Sequence, residues 1–117
     1  MKTLIVDDYA TMRRIIRNLL TQIGQTDIDE AGDGISALDK LRGSKFDLVI
    51  CDWNMEPMTG LQLLKEIRAD QKISSLPFIM VTANSSTENV IAAKNAGVNN
   101  YIVKPFNADT LKQKINS

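Results

Sequence analysis

The chain reads as an α/β protein built on a doubly wound, five-stranded parallel sheet. Three observations carry this reading. Short apolar strands alternate with helical segments five times along 117 residues. The first, third and fourth strands are almost continuously apolar, as strands are when helices cover both faces of a sheet. Turn and capping residues fall between the segments, and alternating strands and helices imply parallel pairing through right-handed crossovers.

Strands are expected over 3–7, 27–31, 47–51, 77–81 and 100–104. The second, Asp27-Ile28-Asp29-Glu30-Ala31, is polar and alternating, which suits a sheet edge. Ile15, Ile16, Leu19, Leu20 and Ile23 share one face at helical spacing. Leu38 and Leu41 mark a second helix, Leu61, Leu64 and Ile67 a third. Val90, Ala93 and Ala96 mark a fourth, Leu111 and Ile115 a fifth. Ser85 with Glu88 reads as a capping box opening the fourth helix, Gly97 closes it, and Asn107 can cap the fifth. Gly24, Gly32, Gly34 and Gly60 are expected in turns. No linker, repeat or low-complexity segment interrupts the pattern, so residues 1–117 are expected to form one domain.

Composition narrows the function. Apolar residues are 44% and charged residues 24%, with a formal net charge of zero. Nucleic acid and anionic membrane both call for a basic surface, and neither is expected as a partner. The N-terminal apolar stretch stops at two acids, unlike a signal peptide, and no apolar run reaches the roughly 18 residues of a membrane span. One cysteine, Cys51, forbids an internal disulfide and fits a cytoplasmic protein. Histidine is absent. That removes Ser-His and Cys-His nucleophile pairs and ordinary zinc sites, so any metal must be held by oxygen.

The chemistry lies at the strand ends. Leu4-Ile5-Val6 runs into Asp7-Asp8, and Leu48-Val49-Ile50-Cys51 into Asp52. Phe78-Ile79-Met80-Val81 runs into Thr82, and Tyr101-Ile102-Val103 into Lys104-Pro105. Open α/β sheets bind ligands at the carboxyl ends of their strands, where strand order reverses. All five side chains are expected there, just past the carboxyl ends. Three carboxylates repel one another, and one lysine cannot neutralise them. A divalent cation with oxygen ligands and retained waters, Mg²⁺, would. Cation, ammonium and hydroxyl can each take one oxygen of a phosphoryl group, leaving one carboxylate as nucleophile. Asp52 is the best placed, since it is single and ends the most apolar strand. The adjacent Asp7 and Asp8 suit holding the cation.

At these residues the chain resembles the receiver domain of two-component response regulators, and most closely the stand-alone chemotaxis type. The resemblance covers essentially the whole chain. It rests on Val6-Asp7-Asp8, Asp52-Trp53-Asn54-Met55, Val81-Thr82-Ala83 and Tyr101-Ile102-Val103-Lys104-Pro105-Phe106 in that order. It implies a flavodoxin-like (βα)5 fold with strand order 2-1-3-4-5. It also implies that Asp52 accepts a phosphoryl group from a partner histidine kinase. Mg²⁺ would be held by Asp7, Asp8, Asp52 and the backbone carbonyl of Asn54. Lys104, aimed by a cis bond to Pro105, would contact the phosphoryl group with Thr82 and Ala83. Thr82 and Tyr101 would then shift together, altering the face formed by the fourth helix, fifth strand and fifth helix, where a downstream protein such as a flagellar motor switch docks. Such a protein catalyses its own phosphorylation and dephosphorylation and is not expected to turn over an external substrate. With the chain ending at the fifth helix, a DNA-binding output domain is not expected.

The family loop usually reads Asp-x-x-Met-Pro-x-Met-Asp-Gly. Here it is Asp52-Trp53-Asn54-Met55-Glu56-Pro57-Met58-Thr59-Gly60. Glu56 stands where the family has proline. It could reach the cation, bind Lys104 in the resting state, or face water. Asn54 and Asn84 each lie two residues past a site residue, where an amide could place a hydrolytic water or be loop polarity only. Trp53, the sole tryptophan, is a reporter whether or not it has a chemical task. Cys51 reads as core packing. A phosphate sink, or a receiver excised from a longer regulator, are close variants of this reading. A Mg²⁺-dependent phosphatase acting through an aspartyl phosphate is disfavoured because Asn54 cannot act as a general acid. A flavin-binding protein is disfavoured because Asp7-Asp8 would repel phosphate. A purely structural module is disfavoured by the intact acid, Thr and Lys set.

Overall fold

The computed structural model describes residues 1–83 and 86–116. Ten elements alternate: β1 (Thr3–Val6), α1 (Ala10–Gln22), β2 (Ile28–Ala31), α2 (Gly34–Gly43), β3 (Leu48–Asp52), α3 (Gly60–Ala69), β4 (Phe78–Thr82), α4 (Thr87–Asn95), β5 (Asn100–Val103) and α5 (Ala108–Asn116). The five strands form one sheet in the order β2-β1-β3-β4-β5, every pair parallel. The polar β2 is an edge strand, as its alternation suggests.

The strands are apolar throughout because each face has its own helical layer. Side chains alternate across a strand. Leu4, Val6, Val49, Cys51, Phe78 and Met80 therefore face one cluster, shared with Leu38 and Leu41 of α2 and Leu63, Leu64 and Ile67 of α3. Ile5, Leu48, Ile50, Ile79, Val81 and Ile102 face the other, with Ile16 and Leu20 of α1 and Leu111 of α5. Cys51 is fully buried in the first cluster. Burial, with the Asp52 charge beside it, pushes its thiol well above the ordinary range, which leaves it a packing group.

Several expected boundaries move. The second, third and fourth strands each begin one residue later than expected, and β1 and β5 stop one residue earlier. In-register pairing continues to Asp52, opposite Val81, and to Thr82, opposite Val103. Asp52 and Thr82 are thus the last residues of their strands, while Asp7, Asp8 and Lys104 lie beyond theirs. Gly34 and Gly60 open helices rather than sit in turns. The cap of α4 is Ser86, whose hydroxyl accepts from Asn89 N–H at 3.3 Å; the expected Ser85–Glu88 box falls on Ser85, which lies outside the described residues. Gly97 follows α4 with φ of 95°, the left-handed geometry that glycine takes most cheaply. Asn107 caps α5 as expected, accepting from Thr110 N–H at 2.9 Å.

Candidate functional site

Strand order reverses at β1 and β3, whose neighbouring carboxyl ends carry Asp7 and Asp52. Val6 pairs with Cys51, so the two acids leave the sheet side by side. Carboxylate oxygens of Asp7, Asp8 and Asp52 all lie within 4.8 Å of one another. Asp7 is 1% exposed and Asp52 5%, whereas Asp8 is exposed. Asp7 is therefore no solvated strand end. One of its oxygens, Oδ1, accepts from Tyr9 N–H at 2.9 Å, while Oδ2 is buried with no partner. Such an oxygen is costly unless something positive reaches it.

Lys104 supplies one positive charge. Its Nζ lies 2.8 Å from Asp52 Oδ1 as an ion pair without the alignment of a hydrogen bond. The β5 end that carries it is set by Lys104 N–H donating to Thr82 O at 2.8 Å. The Lys104–Pro105 bond is cis, as the resemblance implies, and Glu56–Pro57 is cis as well. Lys104 pairs with Asp52 and not with Glu56.

This charge balance leaves a mark on Asp7. Burial, with Asp52 and Asp8 repelling its negative form, raises its pKa from 3.8 to about 6, against the opposing pull of Tyr9 N–H and Lys104. The donors are all hard oxygens, one of them orphaned, and they are close enough to share a small divalent cation. The residues present fit Mg²⁺.

Thr82 is 1% exposed at the end of β4, and its hydroxyl is hydrogen-bonded to that of Tyr101. Burial raises the Tyr101 phenol above its ordinary pKa. The Tyr101 ring stands edge-on to Trp53, with centroids 6.5 Å apart and planes 76° apart. Trp53 is thus joined to the Thr82 side of the site through one ring, a contact the sequence does not announce. Ala83, next along, is exposed. Asn84 lies outside the described residues.

The loop from β3 to α3 closes over this end of the sheet. Trp53 N–H donates to Val81 O at 2.9 Å, and Gly60 N–H to Trp53 O at 2.9 Å. A Cβ on Gly60 would collide with the Asp52 carbonyl oxygen, so only glycine lets α3 start this close to the acid. Thr59 caps α3 in a reciprocal box with Gln62 (Gln62 N–H to Thr59 Oγ1 at 3.2 Å, Thr59 N–H to Gln62 Oε1 at 2.9 Å). The Thr-x-x-Gln spacing carries that signal in the sequence. Asn54 and Glu56 are exposed and line one cleft with Asp8.

Comparison with known proteins agrees with this geometry. Residues 3–116 match the family model of the response regulator receiver domain. The chain is 54% identical over 115 residues to chemotaxis protein CheY-3 of Vibrio cholerae serotype O1, covering 98% of this chain and 88% of that protein. It is 53% identical to chemotaxis protein CheY of Pseudomonas aeruginosa, covering 98% and 93%. Among solved structures, chemotaxis protein CheY4 of Vibrio cholerae superposes with a TM-score of 0.91 at 34% identity, covering 98% and 95%. A response regulator receiver protein from Pseudomonas putida gives 0.88 at 30% identity, covering 97% and 93%. With its motifs, strand order and acid cluster in place, the chain belongs to the response regulator receiver domain family.

Proposed function

We propose that this chain is a cytoplasmic, phosphoaccepting response regulator of chemotaxis. The observation that carries the reading is the buried Asp52, paired with Lys104 at 2.8 Å and flanked by Asp7 and Asp8 oxygens within 4.8 Å. An Asp52 carboxylate oxygen attacks the phosphorus of a phosphohistidine on a partner histidine kinase. The P–N bond breaks, the imidazole nitrogen keeps the bonding pair and takes up a proton, and Asp52 becomes an acyl phosphate. The donor acts in trans, because this chain contains no histidine. Asp7, Asp8, Asp52 and the Asn54 carbonyl would hold Mg²⁺, which would supply positive charge to the phosphoryl oxygens. Lys104 exchanges its Asp52 contact for one phosphoryl oxygen, and the Thr82 hydroxyl takes another.

The readout follows from the Thr82–Tyr101 hydrogen bond. A Thr82 hydroxyl drawn to the phosphoryl group changes what the Tyr101 phenol is bonded to, so the bound group favours one Tyr101 position over the other. Tyr101 lies on β5 beside α4, where Ile91 and Val103 are 51% and 40% exposed. Uncovered apolar side chains next to a movable phenol suit a docking face for a downstream protein. Similarity to the named chemotaxis proteins makes a flagellar motor switch the partner to test first.

The test uses Trp53 fluorescence. Beryllofluoride or acetyl phosphate, added after Mg²⁺, is expected to change the emission, because Trp53 stands against Tyr101. Asp52→Asn abolishes that second response, and the mass gain on acetyl phosphate is lost with it. A wild-type protein that shows neither a spectral nor a mass change overturns the phosphoacceptor assignment.

A further inference from the structure

We infer that Glu56 is an additional acceptor for the hydrated cation, acting from the Asp8 side of the site, and that it tunes the affinity and selectivity of that site. The inference rests on the cation reading above and extends it to a residue where the family usually has proline.

Glu56 shares a cleft of about 410 Å³ with Asp8, Asn54, Pro57 and Thr59. Its position is held from both sides. Met55 before it is 3% exposed and anchored in the core, and Thr59 after it is fixed by the reciprocal cap on α3. With Met55 turned inward, Glu56 is the exposed member of the pair, at the rim of the cleft that Asp8 also lines. No described cation is paired with it, since Lys104, the ammonium of the site, is committed to Asp52. Three clustered carboxylates therefore stand against one ammonium, with Glu56 outside that cluster on the cleft it shares with Asp8. A cation at the deepest of them is supported independently by Asp7 Oδ2, buried and without a hydrogen-bond partner.

Mg²⁺ keeps several of its waters when protein-bound, and those waters need acceptors. An exposed carboxylate on the cleft that Asp8 also lines can accept from such a water without entering the inner shell. Ca²⁺ takes more oxygens in looser geometry and can take a carboxylate directly. Glu56 is accordingly expected to strengthen binding of both ions and to favour the larger one.

The experiment is calorimetric titration of the full chain with MgCl2 and, separately, CaCl2. It compares wild type, Glu56→Gln and Asp7→Asn. Glu56→Gln is expected to weaken Mg²⁺ binding roughly three- to tenfold and Ca²⁺ binding more, while leaving far-ultraviolet circular dichroism unchanged. The Mg²⁺ ratio is expected to persist in about 0.5 M KCl, where a long-range field is screened. Wild type and Glu56→Gln binding Mg²⁺ equally, while Asp7→Asn fails to bind, overturns the role of Glu56 and leaves the cation site standing. A ratio that disappears in salt also overturns it, by reducing Glu56 to a distant charge. A wild type that binds neither ion overturns the site and this inference together.

Discussion

Asp7 is a carboxylate that the fold holds against its own ionisation. Its pKa rises from 3.8 to about 6 through burial and through Asp52 and Asp8. A raised folded-state pKa means that the folded protein binds the proton more tightly than the unfolded chain. The stability from this group is fully present below about pH 3.8 and lost as pH rises through about 6. At about 1.4 kcal/mol per unit, the metal-free protein is expected to lose about 1–3 kcal/mol between pH 4 and 7. Asp29 has a lowered pKa, from the Glu30 N–H and then the Lys40 contacts, and Glu30 has one from the Arg17 and Arg13 contacts, each against burial; their contributions are lost as pH falls, overlapping only the acid end of this window. Asp7→Asn keeps the bond from Tyr9 N–H and removes the charge. Urea unfolding in chelator should show the variant more stable than wild type at pH 7.5 and level with it at pH 4. A variant no more stable at pH 7.5 would mean that Asp7 is well solvated. Gly60 is constrained by contact rather than charge. Gly60→Ala drives a Cβ into the Asp52 carbonyl oxygen and close to Met80 Sδ. The expected cost is about 1–3 kcal/mol in unfolding free energy, with a shift in Trp53 emission as the loop gives way. The sequence marked the acids and left this glycine looking like a turn, because a close approach between a helix start and a carbonyl has no sequence period.

At the scale of elements, what positions β4 and β5 comes largely from α3. The Arg68 guanidinium donates through Nε and Nη2 to Gly97 O at 3.0 and 2.8 Å. Through Nη1 it donates to Ser74 O and Leu76 O at 3.1 and 2.6 Å, and through Nη2 to Asn99 Oδ1 at 2.8 Å. Asn99 extends the pairing of β4 and β5. Its side chain accepts from Phe78 N–H at 2.9 Å, and its N–H donates to Phe78 O at 3.0 Å. The register that starts there puts Met80 opposite Tyr101 and Thr82 opposite Val103. Arg68→Lys keeps the charge but cannot span four acceptors with one ammonium. It should cost about 1–3 kcal/mol, the penalty of leaving partly buried carbonyls short of donors. Amide exchange should quicken at residues 97–99 in particular. Exchange that quickens evenly over the molecule would show a general loosening instead. Arg68 is invisible in a sequence reading, since an arginine at a helix end passes for a solvated charge and its partners are mostly backbone carbonyls. The Thr59–Gln62 box was legible in principle from its Thr-x-x-Gln spacing.

For the molecule as a whole, what could be read in advance is what repeats. Strand and helix periods are written in residue type, so five βα units and the edge character of β2 were visible. Strand order came from the family resemblance, because alternation alone does not rank strands. Boundaries slipped by one residue where pairing ran on to Asp52 and Thr82, since a polar residue that ends an apolar run looks like a loop. The site was legible as a set of residue types at strand ends. The coupling of Thr82 to Tyr101 came from the family resemblance, but the Tyr101–Trp53 contact was not legible, because the two rings meet only across neighbouring strand ends. The whole-molecule consequence is a linkage between fold and cation. Acids crowded at one sheet edge oppose folding, and the unfolded chain disperses them, so a cation that binds the folded edge stabilises the entire protein. At a concentration of 100 times Kd this amounts to about 2.7 kcal/mol, and melting should rise by roughly 10 °C for a chain of this size. Binding needs Asp7 ionised, so the rise should be large at pH 7.5 and shrink at pH 5, below the Asp7 pKa of about 6. Asp7→Asn should remove most of the rise at either pH while melting higher than metal-free wild type at pH 7.5. Thermal scans with and without MgCl2 at both pH values check all of this in one plate. An equal rise at pH 5 and 7.5, retained in Asp7→Asn, would place the stabilising cation somewhere other than this edge.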